Sequence, residues 1–201
     1  MNALNVALLS TVVASPAFAQ FSFNAADGAC VDATGQVGLN AGVRGPCGDL
    51  RGSNLEGANL TRLDLRGARL DGANLKGATL QGANLRGATL DHADLSRAVL
   101  TGATLVRASL VNAKLVGAHL EQAMLKHAVL SGADVRNACL FAASFEGADL
   151  RTAIFSHNRM MLDGARFTRA LVGADTLPFD AQELAALDVE LEVASVELTR
   201  L

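Results

Sequence analysis

A chain of 201 residues, half hydrophobic, 18% charged and −3 in formal charge, is too apolar for disorder and too balanced to bind nucleic acid by charge alone. Aromatics make up 4%, with no Trp and no Tyr, which excludes an ordinary core built on large rings. No apolar run reaches the ~18 residues that a membrane-spanning helix needs, so no membrane span is expected.

In chain order, the first feature is Met1 to Ala19, which has the anatomy of an export signal. A mostly apolar stretch from Ala3 to Ala14 leads to Ala17-Phe18-Ala19, an A-x-A cleavage pattern, and then Gln20. Its first region has no Lys or Arg, so the competing reading is a hydrophobic strand or helix that covers the start of the fold. Residues 1–19 are therefore expected to be a signal peptide and residues 20–47 a cap segment. Within the cap, Cys30 and Cys47 flank a Gly-rich stretch. In an oxidising compartment they could close a disulfide worth about 3 kcal/mol through loop entropy. In a cytosolic protein they would be unpaired small hydrophobes, like Cys139, which is expected to stay free either way. There is no CxxC pair.

From Leu50 the chain becomes periodic. Leu recurs every fifth residue through Leu130, and the series continues as Val135, Leu140, Phe145, Leu150 and Phe155. After a spacing of seven it resumes at Leu162, Phe167, Val172 and Leu177. Of these 26 centres 21 are Leu, and in 21 of the 26 units the residue two before the centre is Ala, so the repeat is dense enough to dictate the backbone.

Neither regular element accepts that period. On a helix, steps of five scatter the leucines around the cylinder; on a flat strand, an odd step sends successive leucines to opposite faces. The pattern works only if the chain turns after every five residues, so that four short sides close a coil of twenty. The centres then fill the interior: Leu60, Leu65, Leu70, Leu75, Leu80, Leu85, Leu90, Leu95, Leu100, Leu105, Leu110, Leu115 and Leu120. Gly two residues after many centres, as at Gly72, permits the corner.

Ala58-Asn59-Leu60, Ala73-Asn74-Leu75, Ala83-Asn84-Leu85, Ala93-Asp94-Leu95 and Ala148-Asp149-Leu150 resemble the pentapeptide-repeat family, whose signature is A-(D/N)-L-x-x. The resemblance covers residues 48–177. It implies an all-β fold, a right-handed quadrilateral parallel β-helix.

After Leu177 the repeat ends. Asp180 and Glu183 make a helix-start pattern, so a short C-terminal helix is expected over Asp180 to Asp188 within a cap of residues 178–201. Over residues 189–199 a 3-4 spacing of Leu competes with the strand-like alternation Val189-Glu190-Leu191-Glu192-Val193. Family members often dimerise through such caps, so a homodimer seam stands beside the simpler reading of a cap packed on the last coil.

No catalytic site announces itself. Counting in fives puts His92, His157, His119 and His127 on the first, second, third and fourth sides, where they cannot converge on one metal ion. No nucleophile elbow, zinc-binding helix pair or phosphate-binding loop occurs. Neither an enzyme nor a cofactor is expected. Resemblance also raises the family's gyrase-binding members, acidic rods that imitate DNA. Here residues 48–177 hold 15 Lys and Arg against 12 Asp and Glu, whereas such a rod needs dense negative charge. That surplus is equally too small to predict direct nucleic-acid binding, and basic and acidic residues alternate on the first, second and fourth sides.

The third side differs, with Arg62 and Glu121 its only formal charges from Ala58 to Ala142. Its outward residues Asn59, Thr61, Thr79, Gln81, Val99, Thr101, His119 and Phe141 make a weakly charged surface where a protein partner is expected. The sequence thus points to an exported, non-enzymatic structural or protein-interaction rod in the periplasm or cell envelope. The alternative is a cytoplasmic DNA-mimicking regulator of gyrase or another topoisomerase.

Overall fold

Each five-residue unit carries five backbone N–H groups, and their destinations fix the architecture. In the unit Ala83–Gly87 the Ala83 N–H closes a turn onto the carbonyl of Leu80 at 3.0 Å, and Asn84 donates back to Leu63 at 2.9 Å. Leu85 and Gly87 donate forward to Thr104 and Val106 at 2.7 and 2.9 Å. The fifth, on Arg86, has no backbone acceptor in that scheme and goes to Asn84 Oδ1 at 3.3 Å. This explains the repeat's chemistry: Asn or Asp before the centre accepts the one amide that the coil leaves over, and buried or tightly turned amides need acceptors. The same contact recurs from Asn54 to Glu56, Asn59 to Thr61 and Asp94 to Ser96.

The computed structural model describes residues 21–24, 29–32, 49–156, 162–173, 176–178 and 190–191. Parallel bridges twenty residues apart run without a break from Asp49↔Arg69 to Asp134↔Ile154, which makes the coil four-sided. Beyond the seven-residue spacing the step becomes 22, with Ser144↔Arg166 and Asp149↔Leu171. The ladders thus resume with their register shifted by two. Strands are named in chain order: β1 is Phe21–Asn24, β2 Ala29–Asp32, β3 Leu171–Val172 and β4 Glu190–Leu191. β3 pairs in parallel with β4, so the first-side column runs Asp49, Arg69, Thr89, Ser109, Val129, Asp149, Leu171, Glu190. At about 4.8 Å per step that column is about 34 Å long.

The interior is filled by the centres. Every centre from Leu60 to Leu130 is 1% exposed or less, and the alanines two before them from Ala68 onward are fully buried. Towards the C-terminal end Phe replaces Leu. Phe145 and Phe167, one coil apart on the fourth side, stack at 5.1 Å, while Phe155 meets Phe145 edge-on at 6.4 Å. The ring stack repeats at nearly the coil spacing, so larger side chains fit without opening the ladder.

The corners are more demanding than the glycines suggest. The second turn residue has a positive φ not only at Gly72 but also at Arg62, His92, Arg97, Arg107, Asn112, Gln122, His127, Asn137, Ala142 and Arg169. Such a conformation costs roughly 1–2 kcal/mol outside Gly. The ladder imposes it because that residue's N–H must reach the next coil, as Arg107 does to Lys126 at 2.9 Å. A long corner side chain then extends over the following corner: a Cβ added at Gly147 would meet the His127 ring at 2.5 Å.

Outside the rod, β1 and β2 form an antiparallel hairpin with Phe21 opposite Asp32, an element that the cap expected over residues 20–47 did not specify. Met1–Ala19, Cys47, His157 and the helix expected over Asp180–Asp188 lie outside the described residues. Of the two alternatives for 189–199, the backbone takes the strand at 190–191, where Glu190 continues a rod column.

Because Leu85 is fully buried in mid-rod, Leu85→Ala should cost about 2–5 kcal/mol of unfolding free energy. Leu85→Asp, which buries an unpaired carboxylate, should cost more and abolish cooperative melting. Thermal unfolding followed by circular dichroism reads both.

Candidate interaction faces

With the interior occupied, chemistry is confined to outward columns. Each side presents the residue before the centre, and the corner after it presents two more. Asn59, Thr79, Val99 and His119 form one third-side column, joined by successive parallel bridges. Thr61, Gln81, Thr101 and Phe141 open the adjoining corner, so the eight residues singled out from sequence share one flank. All are exposed or half-buried, and Phe141 presents 47% of its surface.

Two residues outside that set organise the flank. Cys139 continues the column directly after His119, and Glu121 sits at the corner beside both. His119 Nδ1 lies 3.1 Å from Glu121 Oε1, and the Thr101 hydroxyl donates to Glu121 Oε2 at 3.1 Å. Burial works against the charge on Glu121. Its own backbone N–H and the bonds from His119, Cys139 and Thr101 together outweigh that and hold the carboxyl below its ordinary range. The Cys139 thiol is pushed up, first by burial and further by its bond to Glu121, against the opposing pull of the Phe141 N–H. Cys139 is free and only half-buried, but it is held as a thiol, the form that is a poor nucleophile. The twenty-residue register already put Cys139 on the side of His119; its bond to Glu121 is what the register alone does not give.

His92 and His127 occupy corner positions of different sides, with φ near 60° and 56°. Among the described residues, no three His, Cys, Asp or Glu side chains lie where they could hold a metal ion. No described helix is long and apolar enough to cross a membrane.

The other sides carry local ion pairs at recurring positions. Where the pattern reads Asp-Leu-Arg or Asp-Val-Arg, the arginine folds back on the aspartate two residues earlier: Arg51 on Asp49, Arg66 on Asp64, Arg136 on Asp134, Arg151 on Asp149. The guanidinium holds each carboxyl below its usual range, and Asp49 is brought down to about 2. Where Thr89 and Ser109 replace the acid, the neighbouring coil supplies the acceptor. Asp71 Oδ1 takes the Asp91 N–H at 3.2 Å, and Asp91 Oδ1 takes the Val111 N–H at 2.9 Å.

These depressed carboxyls fix a pH dependence. Each contributes stability that is fully present above the unfolded value near 4 and is lost as pH falls through the lower folded value. The midpoint of thermal unfolding should hold steady from pH 7 to about 5 and fall progressively between about pH 4 and 2. Asp134→Asn keeps the amide acceptor but loses the Arg136 pair, so its acid-induced loss should be smaller than the parent's. Melting curves across that pH range check both.

Residues 49–82, 78–115 and 105–140 match the family described as pentapeptide repeats, with 8 copies. Among solved structures, a pentapeptide repeat protein of the cyanobacterium Cyanothece 51142 is 31% identical, over 49% of this chain and 65% of that one, with a TM-score of 0.44. The chain thus spans less than two thirds of that relative. One from the Arabidopsis thaliana thylakoid lumen is 26% identical over 75% and 83% of the two chains, at 0.43. QnrB1, a plasmid-mediated fluoroquinolone resistance protein, is 18% identical over 72% and 80%, at 0.48. No curated protein matches the chain in sequence.

Proposed function

We propose, from the premise that residues 49–140 are pentapeptide repeats of that family, that this chain is a non-enzymatic protein-interaction rod acting in the periplasm or cell envelope. One observation carries the reading: a side-chain-filled interior leaves flat outer flanks as the means of engaging anything else. The signal-like Met1–Ala19 and the cysteines Cys30 and Cys47 support delivery to an oxidising compartment.

The third flank is the contact face. Its column passes from Asn59 through Thr79 and Val99 to His119, and the corner ends on exposed Phe141. Small polar and apolar groups with few charges are the composition that loses least on desolvation against another protein. A cytoplasmic rod that imitates DNA would instead need a continuous acidic flank. The outward column closest to one, on the first side, is broken by Arg69, Thr89, Ser109 and Val129.

Cell fractionation with intact-mass measurement tests the delivery half. The expected product is periplasmic and begins at Gln20; a cytosolic chain that retains Met1 would end that half of the proposal. For the flank, Val99→Glu combined with Phe141→Glu should abolish capture of a periplasmic partner while leaving the melting midpoint unchanged. Undiminished capture by that variant would move the contact elsewhere.

A further inference from the structure

The rod's positive charge is not shared equally, and the fourth side departs from the alternation expected from sequence. That side and the corner after it carry Arg66, Arg86, Arg107, Lys126, Arg166 and Arg169 against Asp64 and Glu146 alone. The first side, by contrast, sets Arg51, Arg69 and Arg151 against Asp49, Asp71, Asp91 and Asp149. On the fourth side Arg66 pairs with Asp64, and Lys126 with Glu146. Arg86, Arg107, Arg166 and Arg169 are exposed and have no carboxylate within ion-pair distance among the described residues. Two of them, Arg107 and Arg169, stand on left-handed corner residues.

The shape of this surface selects among anionic partners. Asn84, Thr104, Met124, Ser144 and Arg166 belong to one outward column of parallel bridges, which makes the side flat, with Met124 45% exposed in its middle. A nucleic-acid duplex is convex and meets a flat side along a line. A single strand is held by stacking on aromatic rings, and Phe145 and Phe167 of this side are both turned inward, at 1% exposure or less. A layer of anionic headgroups is flat, tolerates irregular spacing of cations and accepts a methionine at its interface.

We propose that the fourth side is a peripheral contact surface for a bilayer rich in anionic lipid. Arg86, Arg107, Arg166 and Arg169 meet the headgroup phosphates, and Met124 touches the interfacial layer. The rod lies on the membrane without entering it. The inference rests on the charge and flatness of this side and stands apart from the third-flank reading, since the neighbouring flank stays accessible when the fourth is docked.

Sedimentation of the full chain with lipid vesicles tests it. The chain should bind vesicles containing phosphatidylglycerol, leave those of phosphatidylcholine alone in solution, and dissociate at high salt. Arg86→Gln with Arg107→Gln should lower the partition coefficient by about fivefold per residue. The matched pair on the opposite side, Lys76→Gln with Arg97→Gln, should change it by less than about twofold. Both pairs are exposed, and unchanged melting curves establish that both variants fold. Equal losses in the two pairs, equal binding to neutral vesicles, or no vesicle binding at all would each overturn the proposal. So would a DNA or RNA probe that binds in place of vesicles and is released by the fourth-side pair. Third-flank variants that lose a protein partner yet keep vesicle binding would separate this surface from that one.

Discussion

The structure depends on a pair of backbone hydrogen bonds that each unit donates to the next coil. Leu85 and Gly87 give their N–H groups to Thr104 and Val106, and the same two steps recur around the rod. These bonds set the coil at twenty residues, force a left-handed residue at corner after corner, and align each centre above the one twenty residues earlier. Leucine packing supplies the driving force, since burying each side chain is worth about 1.5–3 kcal/mol relative to exposure. The hydrogen-bond ladder decides where those side chains stand. Stability is consequently spread along the rod, with each coil supported mainly by its neighbours.

Most of this was legible because the repeat encodes side-chain position directly. A five-residue period in Leu and Ala has one geometric solution, and the buried centres at 60 through 120 are that solution. The reason for Asn and Asp before the centre was not legible, because it follows from counting amide donors on a backbone whose turns must first be known. Corner residues were hidden for a similar reason. Arg107 and Asn112 look like ordinary surface residues, and only the ladder makes them left-handed. The third-flank cluster was partly visible: counting in fives put Thr101, His119 and Glu121 on that side, but that their side chains and the Cys139 thiol meet around one carboxylate depends on rotamers that the count does not give. At the ends the period stops and the reading weakened accordingly. The β1–β2 hairpin and the return of the chain at Glu190 depend on pairings that no short motif announces.

A filled rod moves function from pockets to flanks, and the flanks are chemically distinct. The first and second mix acids with bases, and Asp–Arg pairs at Asp49, Asp149 and Asp134 answer part of that charge locally. The third has an apolar and hydroxyl-bearing column organised around one carboxylate. The fourth holds more arginines than its two carboxylates, Asp64 and Glu146, can answer. Because the third and fourth flanks are different sides of one coil, contact at either leaves the other accessible.

Amide hydrogen exchange tests the central claim most directly. If inter-coil bonds order the rod, protection should follow a period of five. Amides of Leu80, Leu85, Leu90 and Leu95 should be slow, and those of Gln81, Arg86 and Ser96, which lack a backbone acceptor in the coil, should be fast. Uniformly fast exchange at the leucines, or protection recurring at the 3.6-residue period of a helix, would contradict the account.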